Sequence, residues 1–152
     1  MRAVVQRVNH AAVNINQQCH AKIEQGLLVL IGIESDDNFT DIEWLCNKII
    51  SMRIFADEAG LMNKSVQDID GSILLVSQFT LFAQTKKGNR PSFIQAAKPE
   101  IAIPLYESAI TFFKELLPGK IETGQFGADM QITLTNDGPV TIIMDTKDKE
   151  RH

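Results

Sequence analysis

Eight consecutive residues, Gly26-Leu27-Leu28-Val29-Leu30-Ile31-Gly32-Ile33, offer no polar side chain to water. A run this short falls well below the ~20 residues that span a bilayer. It reads instead as a strand buried on both faces, so a chain that holds it must build a sheet core around it. Ser72 to Phe82, following Gly71, reads as a second, longer strand of the same character. Residues 2–8 alternate in the strand manner, and Ala12-Val13-Asn14-Ile15 is a short strand candidate turned by the polar Asn16-Gln17-Gln18. An N-terminal meander is expected.

Two segments carry helical spacing. Asp36-Asp37-Asn38-Phe39-Thr40 supplies N-cap chemistry, and Ile42, Leu45, Cys46, Ile49 and Ile50 then recur at three- and four-residue steps up to about Ile54. Pro99 to Leu117 places Ile101, Leu105, Ile110, Phe113, Leu116 and Leu117 with a helical period and stops at Pro118-Gly119, with Pro104 early enough to be tolerated. Lys120 to Thr123, Met130 to Thr135 and Val140 to Met144 alternate as strands. The expected fold is α/β, with a mixed, mostly antiparallel, barrel-like sheet and two main helices in one domain over residues 1–146. A charged tail, 147–152, is expected to be solvated.

Composition narrows the function classes. With 152 residues, 44% hydrophobic, the chain suffices for one real core. No apolar run suggests a membrane span, and Arg7 interrupts any secretory apolar region, so a cytosolic protein with no membrane partner is expected. Cys19 and Cys46 lie far apart without metal-ligand spacing, which argues for no metal and no disulfide, and both are read as buried or semi-buried thiols. A formal net charge of −4 disfavours broad phosphate neutralisation. Any nucleic-acid contact should be local, and the cationic cluster is Lys86-Lys87-Gly88-Asn89-Arg90, with Lys98 further on.

Ser77-Gln78-Phe79-Thr80 places two hydroxyls and an amide side by side in an otherwise apolar strand. Buried polar groups need partners, so the segment either satisfies itself on neighbouring backbone or lines a pocket that grips a small ligand or a developing oxyanion. Phe79 is expected to anchor the strand in the core. A hydroxyl nucleophile needs a base, yet His10, His20 and His152 have no motif context, and no Gly-x-Ser-x-Gly elbow, His-Glu-x-x-His or phosphate-binding glycine loop occurs. The second feature is Asn136-Asp137-Gly138-Pro139-Val140-Thr141. Asp-Gly favours a hairpin turn, whereas Gly-Pro can hold a cis peptide that aims two carbonyls at a neighbouring pocket.

Taken together, these segments resemble the D-aminoacyl-tRNA deacylase family nearly end to end. The resemblance rests on Met1-Arg2-Ala3-Val4-Val5-Gln6-Arg7-Val8, Ser77-Gln78-Phe79-Thr80-Leu81, Gly88-Asn89-Arg90-Pro91-Ser92-Phe93 and the Asn136 to Thr141 motif. It implies a homodimer that acts on aminoacyl-tRNA without a cofactor. Gly138-Pro139 of one subunit would face the aminoacyl group held near Ser77, Gln78, Phe79 and Thr80 of the other, with Arg7 fixing the Gly-Pro loop. A wall of that kind would refuse L-residues and pass D-residues and glycine. Next to such a pocket, Lys86, Lys87, Arg90 and Lys98 become candidates for tRNA phosphate contact. Two other classes compete: a non-catalytic tRNA-binding or regulatory dimer, and a hydrolase of small D-amino-acid esters or peptides, which would need its own nucleophile.

Overall fold

Strand β1 (Arg2–Ile15) is the spine of the sheet, one continuous strand where the sequence suggests two. The computed structural model describes residues 1–86 and 88–151, so Lys87 of the basic cluster and His152 lie outside the described residues. Two strands share one edge of β1. β2 (Gln18–Ile23) pairs antiparallel with Ala11–Ile15, and β3 (Gly26–Gly32) pairs antiparallel with Arg2–Val8. The expected meander is therefore a β1–β2 hairpin, turned at Asn16 and Gln17, whose φ angles of 50° and 63° suit short polar turn residues.

On the other side of β3 the pairing becomes parallel. β6 (Ser72–Ser77) lies parallel to β3, and β7 (Ile121–Thr123) parallel to β6. β8 (Met130–Asp145) runs antiparallel along the whole length of β1, and β4 (Phe55–Ala56) with β5 (Met62–Lys64) forms a small separate hairpin. The mixed, mostly antiparallel sheet curls into a nearly closed barrel.

Both sides of this sheet are apolar, which is why β3 and β6 read as unbroken apolar runs. Leu27, Val29, Ile31, Ile73 and Leu75 face the helices, whereas Leu28, Leu74 and Val76 face the inside of the curl. Strand β1 changes side partway. Met1, Ala3 and Val5 pack towards the helices, but register shifts around Val8 turn Val8, Ala11 and Val13 into the curl.

Helix α1 (Phe39–Ser51) starts on a capping box: the Asn38 side chain accepts from Thr40 N–H (2.9 Å) and Asp41 accepts from Asn38 N–H (3.1 Å). Its five expected apolar positions are all buried. Helix α2 (Pro99–Leu116) buries Ala102, Tyr106, Ala109 and Phe113, a stripe rotated from the expected one, so Ile101 is exposed. No helix among the described residues is long and apolar enough to cross a membrane.

Two further expectations are corrected. The strand that starts at Ser72 ends at Ser77, and Phe79–Phe82 forms a 3₁₀ turn, because β3 ends at Gly32 and β7 at Thr123 and leaves no edge to pair with. Gly32 permits this turn: a Cβ there would stand 3.0 Å from the Gln78 carbonyl and from the Phe82 ring. Cys19 is exposed, since it lies at the start of β2 where the β1–β2 hairpin extends past the core, while Cys46 is buried and free. Residues 147–151 stay exposed, with Lys149 set over the Trp44 ring at 5.5 Å.

Candidate active site

Where β6 runs out of partners, its backbone groups do too. Gln78 N–H still donates to the Ile31 carbonyl (2.7 Å), and Leu81 N–H donates to the Gln78 carbonyl (3.2 Å). The N–H groups of Phe79 and Thr80 precede the first bond of the 3₁₀ turn and have no acceptor among the described residues. The side chains here satisfy one another. Gln78 Nε2 donates to Thr80 Oγ1, and no histidine, carboxylate or amine bonds to that hydroxyl among the described residues. Phe79 is 56% exposed and meets Phe93 edge to face at 5.1 Å, so it is no core anchor. It joins the 3₁₀ turn to the loop that follows the basic cluster.

This end of β6 forms one wall of a cavity of about 320 Å³. Val76 to Phe79 face Phe126 to Met130 and Ile132 across it. The second wall was missed from the sequence, where Gly124 to Asp129 reads only as a connection. Its signal was the pair of glycines around Phe126, of which Gly127 takes a φ of +74°. Behind the first wall, the Tyr106 hydroxyl donates to the Leu75 carbonyl (2.9 Å), and burial pushes this phenol up to about 12. A larger recess of about 410 Å³ between Phe39 and Phe112 contains none of the expected site residues.

Asn136 to Thr141 is not a hairpin turn. Both flanks of β8 stay paired with the same strand, although the register shifts between them: Val8 pairs with Asn136 and Gln6 with Thr141. Four residues, Asp137 to Val140, therefore bulge out opposite Arg7 alone. The Gly138–Pro139 peptide is cis, and both residues are exposed. Arg7 holds the base of the bulge. Its Nε donates to the Asp137 carbonyl (2.8 Å) and its Nη1 to the Ile54 carbonyl (2.6 Å), while the Asp137 carboxylate stands 3.3 Å from Nε. A planar fork suits two carbonyls on separate segments.

The bulge and the cavity of one chain are far apart. Ile132 in the cavity wall pairs with Val13, and the bulge sits opposite Arg7, six residues away along β1. At the rise of a strand that separation is roughly 20 Å. Arg2 braces the 3₁₀ turn against β8, pairing with Asp145 (2.8 Å), donating to the Leu81 carbonyl (3.2 Å) and stacking over Phe82.

Lys86 and Arg90 line a second, smaller hollow of about 300 Å³ with Gln84, Ser92 and Ile94. Gln84 and Ser92 exchange both backbone hydrogen bonds (2.8 and 2.9 Å) and close this loop at its neck. Lys98 is exposed at the N-cap of α2 and does not line the hollow. Among the described residues, the group of carboxylates close enough to share a cation is Glu34, Asp36 and Asp37. The Met1 ammonium reaches Asp37 at 2.6 Å and Lys147 lies 3.2 Å from Asp36, so protein cations already neutralise this cluster.

Residues 4–145 match the family described as D-Tyr-tRNA(Tyr) deacylase. The chain belongs to that family. It is 61% identical over 150 residues to the D-aminoacyl-tRNA deacylase of Cytophaga hutchinsonii and 59% identical to that of Bacteroides thetaiotaomicron. In both comparisons 99% of this chain and 100% of the relative are covered. Among solved structures, a c-Myc DNA unwinding element binding protein superposes with a TM-score of 0.91 at 41% identity, covering 95% of this chain and 98% of that one. A probable eukaryotic D-amino acid tRNA deacylase superposes at 0.81 with 17% identity, covering 94% and 97%, and shares the fold. The deacylase family is one of hydrolases.

Proposed function

We propose that this chain hydrolyses the ester bond of D-aminoacyl-tRNA as a homodimer whose active sites each draw on both subunits. The carrying observation is a pair of adjacent N–H groups without an acceptor among the described residues, those of Phe79, which lines the 320 Å³ cavity, and of Thr80 beside it. Two adjacent donors, held by a backbone that is bonded on either side, suit the oxyanion that forms when an ester carbonyl is attacked. The names of the relatives support the substrate class.

The chemical step needs little from side chains. An ester on the tRNA ribose has a vicinal hydroxyl beside it, and this hydroxyl can direct the attacking water while Phe79 and Thr80 N–H stabilise the developing charge. The Thr80 hydroxyl, already an acceptor for Gln78 and without a base, is not required as nucleophile. Asp129 in the wall opposite Val76 to Phe79 is an exposed carboxylate.

Chiral rejection belongs to Gly138 and Pro139. Because the bulge lies roughly 20 Å from the cavity of its own chain, a Gly138–Pro139 wall for the aminoacyl group comes from the other subunit. Such a main-chain wall leaves no room for an L-side chain and passes D-residues and glycine, so glycyl-tRNA is an additional substrate. Lys86, Lys87, Arg90 and Lys98 take the phosphates of the acceptor end, with Phe79 and Phe93 linking that loop to the rim.

The second reading, a nucleic-acid-binding dimer without turnover, has the name of one relative in its favour. Incubating purified protein with D-Tyr-tRNA and with L-Tyr-tRNA separates the two. Fast release from the D-ester alone is the expected result, whereas binding without release from either ester establishes the second reading. A D-ester carrying a 2′-deoxy terminal ribose should then turn over poorly, and unimpaired turnover would return the attack to a protein group.

A further inference from the structure

A four-residue bulge with no ladder of its own keeps a fixed shape only if something else closes its neck. Arg7 binds the first limb, at Asp137. A side chain bonds the second limb twice. Asn136 Oδ1 accepts from Val140 N–H (2.7 Å), and Asn136 Nδ2 donates to the Val140 carbonyl (3.1 Å) and to Thr141 Oγ1 (3.1 Å). The orientation of the amide follows from its partners, since a backbone N–H must meet the oxygen and a carbonyl must meet the nitrogen. Asn136 thus reproduces, with a side chain, the paired donor and acceptor of a strand bridge. Gln6 Nε2 also reaches Thr141 Oγ1 (3.3 Å), which ties the clasp to β1.

We propose that Asn136 is a positioning residue for D over L selectivity, acting as the clasp that holds the second limb of the Gly138–Pro139 bulge. The inference rests on the reading of Gly138 and Pro139 as the selectivity wall. Arg7 anchors the entry to the bulge and Asn136 anchors its exit, with the two exposed wall residues between them. If the exit limb is freed, Val140 loses both of its bonds to the Asn136 amide and the wall can retreat from the space an L-side chain would fill. Aspartate would keep the acceptor for Val140 N–H but not the donors to Val140 and Thr141, and alanine would keep neither.

The test compares kcat/KM for D-Tyr-tRNA and L-Tyr-tRNA in the wild type, Asn136→Ala and Asn136→Asp, with Tm measured alongside. The D over L ratio should fall roughly tenfold or more in Asn136→Ala, the scale of one or two net hydrogen bonds, and by less in Asn136→Asp. A merely structural residue would lower Tm and depress both rates together with the ratio intact, and that result would overturn the proposal. Should Asn136→Ala fail to fold, Asn136→Asp and Thr141→Val carry the same test, and an unchanged ratio in both overturns it. Equal release of the two esters by the wild type removes the selectivity wall itself. A discriminating wild type beside equally discriminating variants removes only the role of Asn136.

Discussion

The main chain leaves the sheet in two places, and it does so in opposite ways. At Ser77 strand β6 ends, and the following turn leaves the N–H groups of Phe79 and Thr80 without partners among the described residues. At Asn136 strand β8 bulges out and returns to the same neighbour, and the bulge is bonded at its base by Arg7 and at its neck by Asn136. An ending presents donors to a ligand, whereas a clasped bulge presents a shape. Electrostatic stabilisation needs the first and rejection by size needs the second. Both depend on surroundings that hold the backbone still, so the side chains that matter most are those that bond main chain.

The largest expected effect breaks the bulge. A Cβ on Gly138, whose φ is +142°, would stand 2.8 Å from Val140 Cγ2 and 3.0 Å from Arg7 Nη2 and Val140 N. Gly138→Ala should therefore displace the wall and cut the D over L ratio of deacylation rates by roughly 10²-fold. A ratio left at its wild-type value would separate the bulge from selectivity. Reversing charge in the basic loop, Lys86→Glu with Arg90→Glu, should raise KM for D-Tyr-tRNA roughly tenfold at low salt and flatten its salt dependence, with chiral preference untouched. An unchanged salt slope would take this loop out of phosphate contact.

Smaller effects sharpen the other half of the comparison. Tyr106→Phe removes the buried bond to the Leu75 carbonyl that backs the end of β6, and should cost ~1 kcal/mol by denaturant unfolding. A rate loss larger than that stability loss would show that the phenol also sets the rim geometry. Thr80→Ala should retain most activity, because the backbone donor survives the substitution. A loss of ~10³-fold, the scale of a key catalytic group, would make the Thr80 hydroxyl part of the chemistry.

Much of this was legible in the sequence, for uneven reasons. The apolar runs of β3 and β6 declare strands covered on both faces, and the Asn38 cap with its apolar spacing declares α1. The end of β6 was misplaced, because the apolar pattern continues through Phe79, Leu81 and Phe82 while the pairing partners stop. Periodicity reports what a residue wants to bury and is silent on how long its neighbour is. For the same reason Met130–Thr135 and Val140–Met144 read as two strands, with a hairpin turn between them left open, although β1 is long enough to pair with both. The wall from Phe126 to Met130 belongs to a connection without period or motif, so only the fold brings it opposite Ser77.

The claim that most needs testing is that donors on one subunit work against the wall of the other. Two variants, each impaired as a homodimer, decide it: Gly138→Ala, which spoils the wall, and Ala128→Trp, which fills the cavity. Chains of the two kinds are unfolded together, refolded and assayed on D-Tyr-tRNA and L-Tyr-tRNA. If each site takes its cavity from one chain and its wall from the other, every mixed dimer has one site free of both substitutions. The D over L ratio of the mixture should then rise above that of Gly138→Ala alone. If mixing restores nothing although mixed dimers form, cavity and wall act within one chain and the two-subunit site is wrong.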